Sequence, residues 1–278
     1  MNDAPKDMDE ELAAAASEAP RPRRKGIYVL PNAITLAALF SGFYGIVMAM
    51  NGRFELACIA IFCAAVLDSL DGRVARMTNA QSAFGEQMDS LCDMVSFGAA
   101  PALIVYIWAL KDLGKPGWIP AFVYIAGAAL RLARFNVNIG VVDKRYFQGL
   151  PSPAAAAMVI GLVWVMDDAG FKGASRIDWL AWTAFVVTLF AGLSMVTNAP
   201  FYSFKVVGGR RTVPFVVLVA IALGIALIAL DPPRVLFAIF CLYGLSGYAV
   251  YAWRKFKGTP VSVIATSTDE PEEKGLHQ

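Results

Sequence analysis

The sequence predicts an all-α fold, a polytopic integral membrane helical bundle of about eight transmembrane helices. Three observations carry that prediction. Hydrophobic residues make up 58% of the 278-residue chain and charged residues only 17%, with a mean hydropathy of +0.56, whereas a soluble domain needs a polar skin and about 25% charged residues. The apolar residues gather into stretches near the roughly 20 residues that cross about 30 Å of hydrocarbon as a helix. The basic residues sort to one side of those stretches, as they do in short cytoplasmic loops.

The stretches run near Pro31 to Met50, Phe54 to Met77, Glu86 to Leu110, Trp118 to Val137, Pro153 to Met166, Trp179 to Val196, Val213 to Leu230 and Pro233 to Trp253. The fifth is the weakest, with a short apolar core behind Pro151 and Pro153 that calls for tilt or local bilayer thinning. An even number of crossings puts both tails on one side. With the N-terminus inside, Arg53, Lys111, Lys115, Lys172, Arg176 and Arg234 lie outside, and the other 18 of the 24 basic residues lie in the cytoplasm. Residues 1–26 mix Asp, Glu, Ala and Pro and end in the basic run Arg21, Arg23, Arg24, Lys25. They read as a disordered cytoplasmic tail, residues 27–257 as the membrane domain, and residues 258–278 as a polar C-terminal tail. The first apolar run continues into a full span, unlike the short core of a secretory signal.

Composition also narrows the chemistry. A net charge of +2 is too balanced for a nucleic-acid binder. Cys58, Cys63, Cys92 and Cys241 fall in apolar stretches without metal spacing or a disulfide framework. The only histidine, His277, has no partner ligand nearby in the tail, so no zinc site is expected.

The second and third spans carry the acids. Asp68, Asp71, Asp89 and Asp93 stand in hydrophobic helices together with Gly72, Ala75, Arg76 and Gly85. Unpaired at mid-depth, four carboxylates would cost roughly 10 to 14 kcal/mol on an insertion scale, so something must compensate them. Asp68 and Asp71 are three apart and Asp89 and Asp93 four apart, which puts each pair on one helix face. If the intervening turn brings the faces together, four hard oxygen ligands meet, a set suited to magnesium, manganese or calcium. Gly72 and Gly85 would let a helix, a metal or a phosphate approach the backbone. The other reading is structural: the acids pair with Arg73, Arg76 and neighbouring arginines, or face water at helix ends.

These residues resemble the signature of the CDP-alcohol phosphotransferases, integral membrane enzymes with the pattern D-x2-D-G-x2-A-R-x8-G-x3-D-x3-D. Asp68, Asp71, Gly72, Ala75, Arg76, Gly85, Asp89 and Asp93 fill every fixed position over residues 68–93. The resemblance implies a six-helix catalytic core, to which the last two spans are an addition, and a homodimer. It implies two divalent cations, Mg or Mn, per active site, with Asp68, Asp71 and Asp89 as the principal ligands. Asp93 is the remaining member, placed to touch the second metal and to act as the base. Four further stretches narrow the likeness: Leu30, Pro31 and Asn32 with Thr35; Arg131 to Val137; Phe147 to Ala154; and Asn198 to Lys205. They resemble the membrane-type phosphatidylserine synthases of bacteria and archaea. The implied partners are CDP-diacylglycerol, L-serine and membrane lipids, and the implied site lies at the cytoplasmic face of the inner or plasma membrane.

On that reading Asn32, Thr35, Gly72, Arg76 and Gly85 contact the CDP-lipid, and Arg131 and Arg134 grip the acceptor through forked hydrogen bonds. Each has a plainer alternative. Pro31 and Asn32 shape a helix start, and the arginines serve the positive-inside pattern or lipid headgroups. Lys205, Arg210 and Arg211 read as lipid contacts, and Tyr202 as an interface anchor. Gly42, Gly45, Gly161, Gly244 and Gly247 mark close helix contacts, within or between subunits. The competing functions are the same chemistry with glycerol phosphate, inositol phosphate or choline as acceptor, and a cation transporter. The serine-type context around Arg131 and Gly149 speaks against the first. The single acid cluster, without repeats, speaks against the second.

Overall fold

The computed structural model describes residues 29–78, 80–137, 146–171, 173, 178–202 and 215–257. The two expected tails, and Lys172, Arg176, Lys205, Arg210, Arg211 and His277, lie outside the described residues. Helices α1 (Val29–Met50), α2 (Phe54–Met77), α3 (Ala83–Asp93), α4 (Ala100–Trp108) and α5 (Trp118–Val137) come first. They are followed by α6 (Ser152–Asp168), α7 (Asp178–Val196), α8 (Phe215–Leu230) and α9 (Pro232–Phe256). A π-helical segment, Met94–Ala99, joins α3 to α4, so Ala83–Trp108 runs as one rod.

Over their described residues the eight apolar stretches are largely helical. Among the described residues, five are both long and apolar enough to cross a membrane: Val29–Met50, Ala83–Trp108, Lys115–Val137, Trp179–Val196 and Pro232–Phe256. The others differ for visible reasons. α2 carries Glu55, Asp68, Asp71, Arg73 and Arg76, and α6 and α8 have 17 and 16 residues. The chain is an integral membrane protein.

Small residues let the rods approach. Ala38, Gly42, Gly45 and Ala49 line one face of α1. A side chain on Gly45 would meet the Ala57 carbonyl oxygen at 3.2 Å, and one on Gly42 would meet Ser96 Cα at 2.8 Å. At Gly42, α1 presses against the π segment. The buried Tyr124 hydroxyl of α5 donates to the Phe97 carbonyl oxygen of this segment at 2.9 Å, as a polar group inside a bilayer must be satisfied. Gly127 and Gly192 bring α5 and α7 to backbone contact, because a Cβ on Gly127 would fall 2.4 Å from the Gly192 carbonyl oxygen.

α6 explains why its apolar pattern reads as weak. It is buried from Ala154 through Val163 and packs against α2, α4, α7 and α9, so protein covers much of it in place of lipid. Gly161 and Gly244 seat α9 on it, against Phe237 and Met158. All five glycines expected at close helix contacts meet other residues of the same chain. α8 instead exposes Val216, Leu218, Leu223 and Leu227.

One feature had no sequence signal. Strand β1 (Tyr146–Gln148) pairs antiparallel with β2 (Pro200–Tyr202), with Phe147 opposite Phe201. Gly149 follows at φ +77°, and a side chain there would meet the Met195 and Thr197 carbonyl oxygens at 2.4 and 2.9 Å. Only glycine fits this turn.

Candidate active site

The acid cluster forms where α2 nears its end and along the second half of α3, whose last residue is Asp93. Ser82 caps α3 by accepting the Gly85 N–H at 3.0 Å. This turns the chain so that Asp89 and Asp93 look back at α2. One carboxylate oxygen from each of Asp68, Asp71 and Asp89 lies within 4.8 Å of the others. Asp71 is only 4% exposed. The Thr35 side chain and the Gly72 backbone N–H face its carboxylate, while its Oδ2 is buried without a partner. Asp93 stands outside this triad, within hydrogen-bonding reach of Asp68, near Asp89 and facing Arg131.

Such a cluster is electrostatically expensive. Two like charges 4.8 Å apart repel by roughly 3 kcal/mol at an effective dielectric constant of about 20. The partnerless buried oxygen of Asp71 lacks the donor that a structural carboxylate would have. Three hard anionic ligands around one point, one with an unused buried oxygen, fit a divalent cation.

The expected CDP-lipid residues surround the triad. Thr35 is buried on α1, and its hydroxyl donates to the Pro31 carbonyl at 3.1 Å. Asn32 Oδ1 lies 3.5 Å from where a Gly85 side chain would start, so α1 and α3 meet there. Gly72 borders open space, and the nearest atom to a Cβ there would be Arg76 Nη1 at 3.8 Å. Arg76 itself is exposed.

The three later motif stretches converge on the same end of the bundle. Arg131 Nη1 donates to Ser152 Oγ at 3.0 Å, and its Nε is buried and unpartnered. Arg134 donates to the Val196 carbonyl and to Asn198 Oδ1, each at 3.2 Å. Gln148 Nε2 reaches the same Asn198 oxygen at 2.6 Å. The structure thus brings Arg131 to the acids and sets Arg134 on the turn ahead of β2. Sequence reasoning quoted Ser152 only as part of a stretch, and it missed Tyr243 of α9, which lies within electrostatic reach of Arg131. No local pattern marks either one, because both come near Arg131 only through tertiary packing.

The family model for CDP-alcohol phosphatidyltransferases matches residues 28–193. This chain belongs to that family. It is 34% identical over 221 residues to the CDP-diacylglycerol–serine O-phosphatidyltransferase of Helicobacter pylori (strain ATCC 700392 / 26695), covering 79% of this chain and 90% of that protein. The archaetidylserine synthase of Methanothermobacter thermautotrophicus is 38% identical over 132 residues, 47% of this chain and 55% of that one. Among solved structures, the Mycobacterium tuberculosis phosphatidylinositol phosphate synthase with CDP-DAG bound is 17% identical, with a TM-score of 0.45, over 66% of this chain and 92% of that one.

Proposed function

We propose that this protein transfers the phosphatidyl group of CDP-diacylglycerol to the hydroxyl of L-serine, giving phosphatidylserine and CMP. The observation that carries the reading is the Asp68–Asp71–Asp89 triad, with Asp93 within hydrogen-bonding reach of Asp68 and the charge of Arg131 felt at Asp93. The names of the relatives supply the acceptor.

Asp68, Asp71 and Asp89 would hold the divalent cations, two of them on the family pattern, with Asp93 touching the second. Bound there, Mg or Mn would neutralise the pyrophosphate and stabilise charge on the departing CMP oxygen. The chain's own groups do the rest. Gly72 leaves the backbone open to the nucleotide phosphates, and the exposed Arg76 offers them a guanidinium. Asn32, Thr35 and Gly85 shape the neighbouring wall. Asp93 accepts the serine hydroxyl proton as the serine oxygen bonds to the phosphatidyl phosphorus and the bond from that phosphorus to the CMP oxygen breaks. Arg131 holds the acceptor's carboxylate. The distribution of basic residues supports a cytoplasmic site with both termini on that side. A homodimer fits the family, with a face other than the five glycine contacts.

The test is metal-dependent CMP release by the purified chain given CDP-diacylglycerol and one alcohol at a time. Release with serine that stops on chelation supports the reading. Equal release with every alcohol, or none with any, refutes it.

A further inference from the structure

Ser152 opens α6 and is 1% exposed, and the proposed reaction leaves it unused. A hydroxyl at a helix start ordinarily serves the helix's own N–H groups. Here no side chain caps α6, and Ser152 Oγ turns to another helix, where it accepts the Arg131 Nη1 proton at 3.0 Å.

Two contacts fix the level of Arg131 in the bundle. Asn136 Nδ2 of α5 donates to Ser90 Oγ of α3 at 3.1 Å, and a Cβ on Gly98 would lie 3.3 Å from the Ala128 Cβ of α5. The two pairs are eight residues apart on both rods, so α5 runs antiparallel to Ala83–Trp108 in one register. Asp93 comes three residues after Ser90 and Arg131 five before Asn136, which leaves them two residues apart in depth, about 3 Å at the helical rise. α6 also packs against the π segment that follows Asp93. Ser152 therefore anchors Arg131 at the level of the acids.

A guanidinium is rigid and planar, so holding one N–H sets the direction of the rest. The bond to Ser152 takes Nη1. Among the described residues it is the only side-chain hydrogen bond of Arg131, and Nε is buried without a partner. Nε and Nη2 share another edge of the group, a fork that can take both oxygens of a carboxylate.

We propose that Ser152 is a positioning residue of the acceptor subsite: by holding Nη1 it aims the Nε–Nη2 edge of Arg131 at the acceptor's carboxylate, and so makes the site selective for a carboxylate-bearing alcohol. The proposal deepens the serine reading and rests on it.

The experiment uses the full chain in detergent with magnesium and CDP-diacylglycerol. L-serine is the substrate; glycerate, which keeps the carboxylate, and serinol, which lacks it, are competitors. Ser152→Ala should raise the serine KM and the glycerate Ki together by about tenfold, the value of a hydrogen bond to a charged group. It should leave the serinol Ki, the CDP-diacylglycerol KM and kcat at saturating serine within about twofold. Ser152→Thr, which keeps the hydroxyl, should bring the serine KM back toward that of the wild type. In an Arg131→Met background, Ser152→Ala should leave kcat/KM for serine unchanged, because the hydroxyl acts only through the guanidinium. Ser152→Ala with an unaltered serine KM, with equal losses for all three ligands, or with a loss that multiplies that of Arg131→Met, overturns the proposal. So does a wild-type serinol Ki equal to the serine KM, a result that needs no variant to fold. A wild type that makes no phosphatidylserine but uses another alcohol overturns the serine reading itself, and the proposal with it.

Discussion

Arg134 donates to Asn198 Oδ1 at 3.2 Å and so ties α5 to the turn ahead of β2. One turn earlier, Arg131 gives its hydrogen bond to Ser152 and faces Asp93. The sequence groups the two arginines as acceptor ligands, whereas their hydrogen bonds divide them. Arg134→Ala is expected to impair use of both substrates alike and to lower the melting temperature by about 2 to 4 °C for each kcal/mol lost. Steady-state kinetics with each substrate varied, alongside thermal unfolding, checks this. A selective rise in the serine KM would return Arg134 to the acceptor site.

Amide substitutions separate ligand from base, since they keep shape and remove charge. Asp71→Asn takes an anionic ligand from the triad and should abolish metal binding in calorimetric titration, and CDP-diacylglycerol binding with it. Asp93→Asn should lower turnover by about 100-fold or more while CDP-diacylglycerol still binds, because an amide cannot take the serine proton. Comparable turnover by Asp93→Asn and the wild type would remove Asp93 from the role of base.

Gly72 allows fold and function to be pulled apart. A methyl group there meets nothing nearer than Arg76 Nη1 at 3.8 Å, and alanine is the better helix former by about 1 kcal/mol. Gly72→Ala should therefore unfold at the same or a higher temperature and yet bind CDP-diacylglycerol more weakly. Unchanged lipid affinity would mean that the open backbone is not part of the binding surface.

Two glycines with positive φ should respond very differently to alanine. Gly52 has φ +71° with nothing within 4 Å, so Gly52→Ala should cost about 1 kcal/mol from backbone conformation alone. Gly149 adds a 2.4 Å clash with a backbone carbonyl to its φ of +77°, so Gly149→Ala should cost about 3 kcal/mol or more and disturb the β1–β2 seam. Thermal unfolding of the two variants side by side checks the contrast.

The helices were legible because length and hydropathy are local properties, and the acid cluster because Asp68, Asp71, Asp89 and Asp93 sit at helical spacing across one turn. α6 read as weak for the opposite reason. A central helix walled by other helices does not need a lipid-facing apolar surface of its own. The π segment at Met94–Ala99 and the pairing of Phe147 with Phe201 had no periodic signature, since a wider turn and a three-residue ladder depend on what packs against them. The Arg131–Ser152 hydrogen bond was invisible for the same reason: the two residues are 21 positions apart and meet only in the folded bundle.

The most direct test of the central claim follows the serine oxygen. The purified chain is given CDP-diacylglycerol, magnesium, L-serine labelled with heavy oxygen in its hydroxyl, and equal amounts of unlabelled glycerol phosphate and inositol phosphate, and the lipid products are resolved by mass. Attack by the serine hydroxyl on the phosphatidyl phosphorus predicts phosphatidylserine that retains the heavy oxygen, with unlabelled CMP, as the dominant products. A dominant lipid built on either competing alcohol, or phosphatidylserine without the label, would contradict the account.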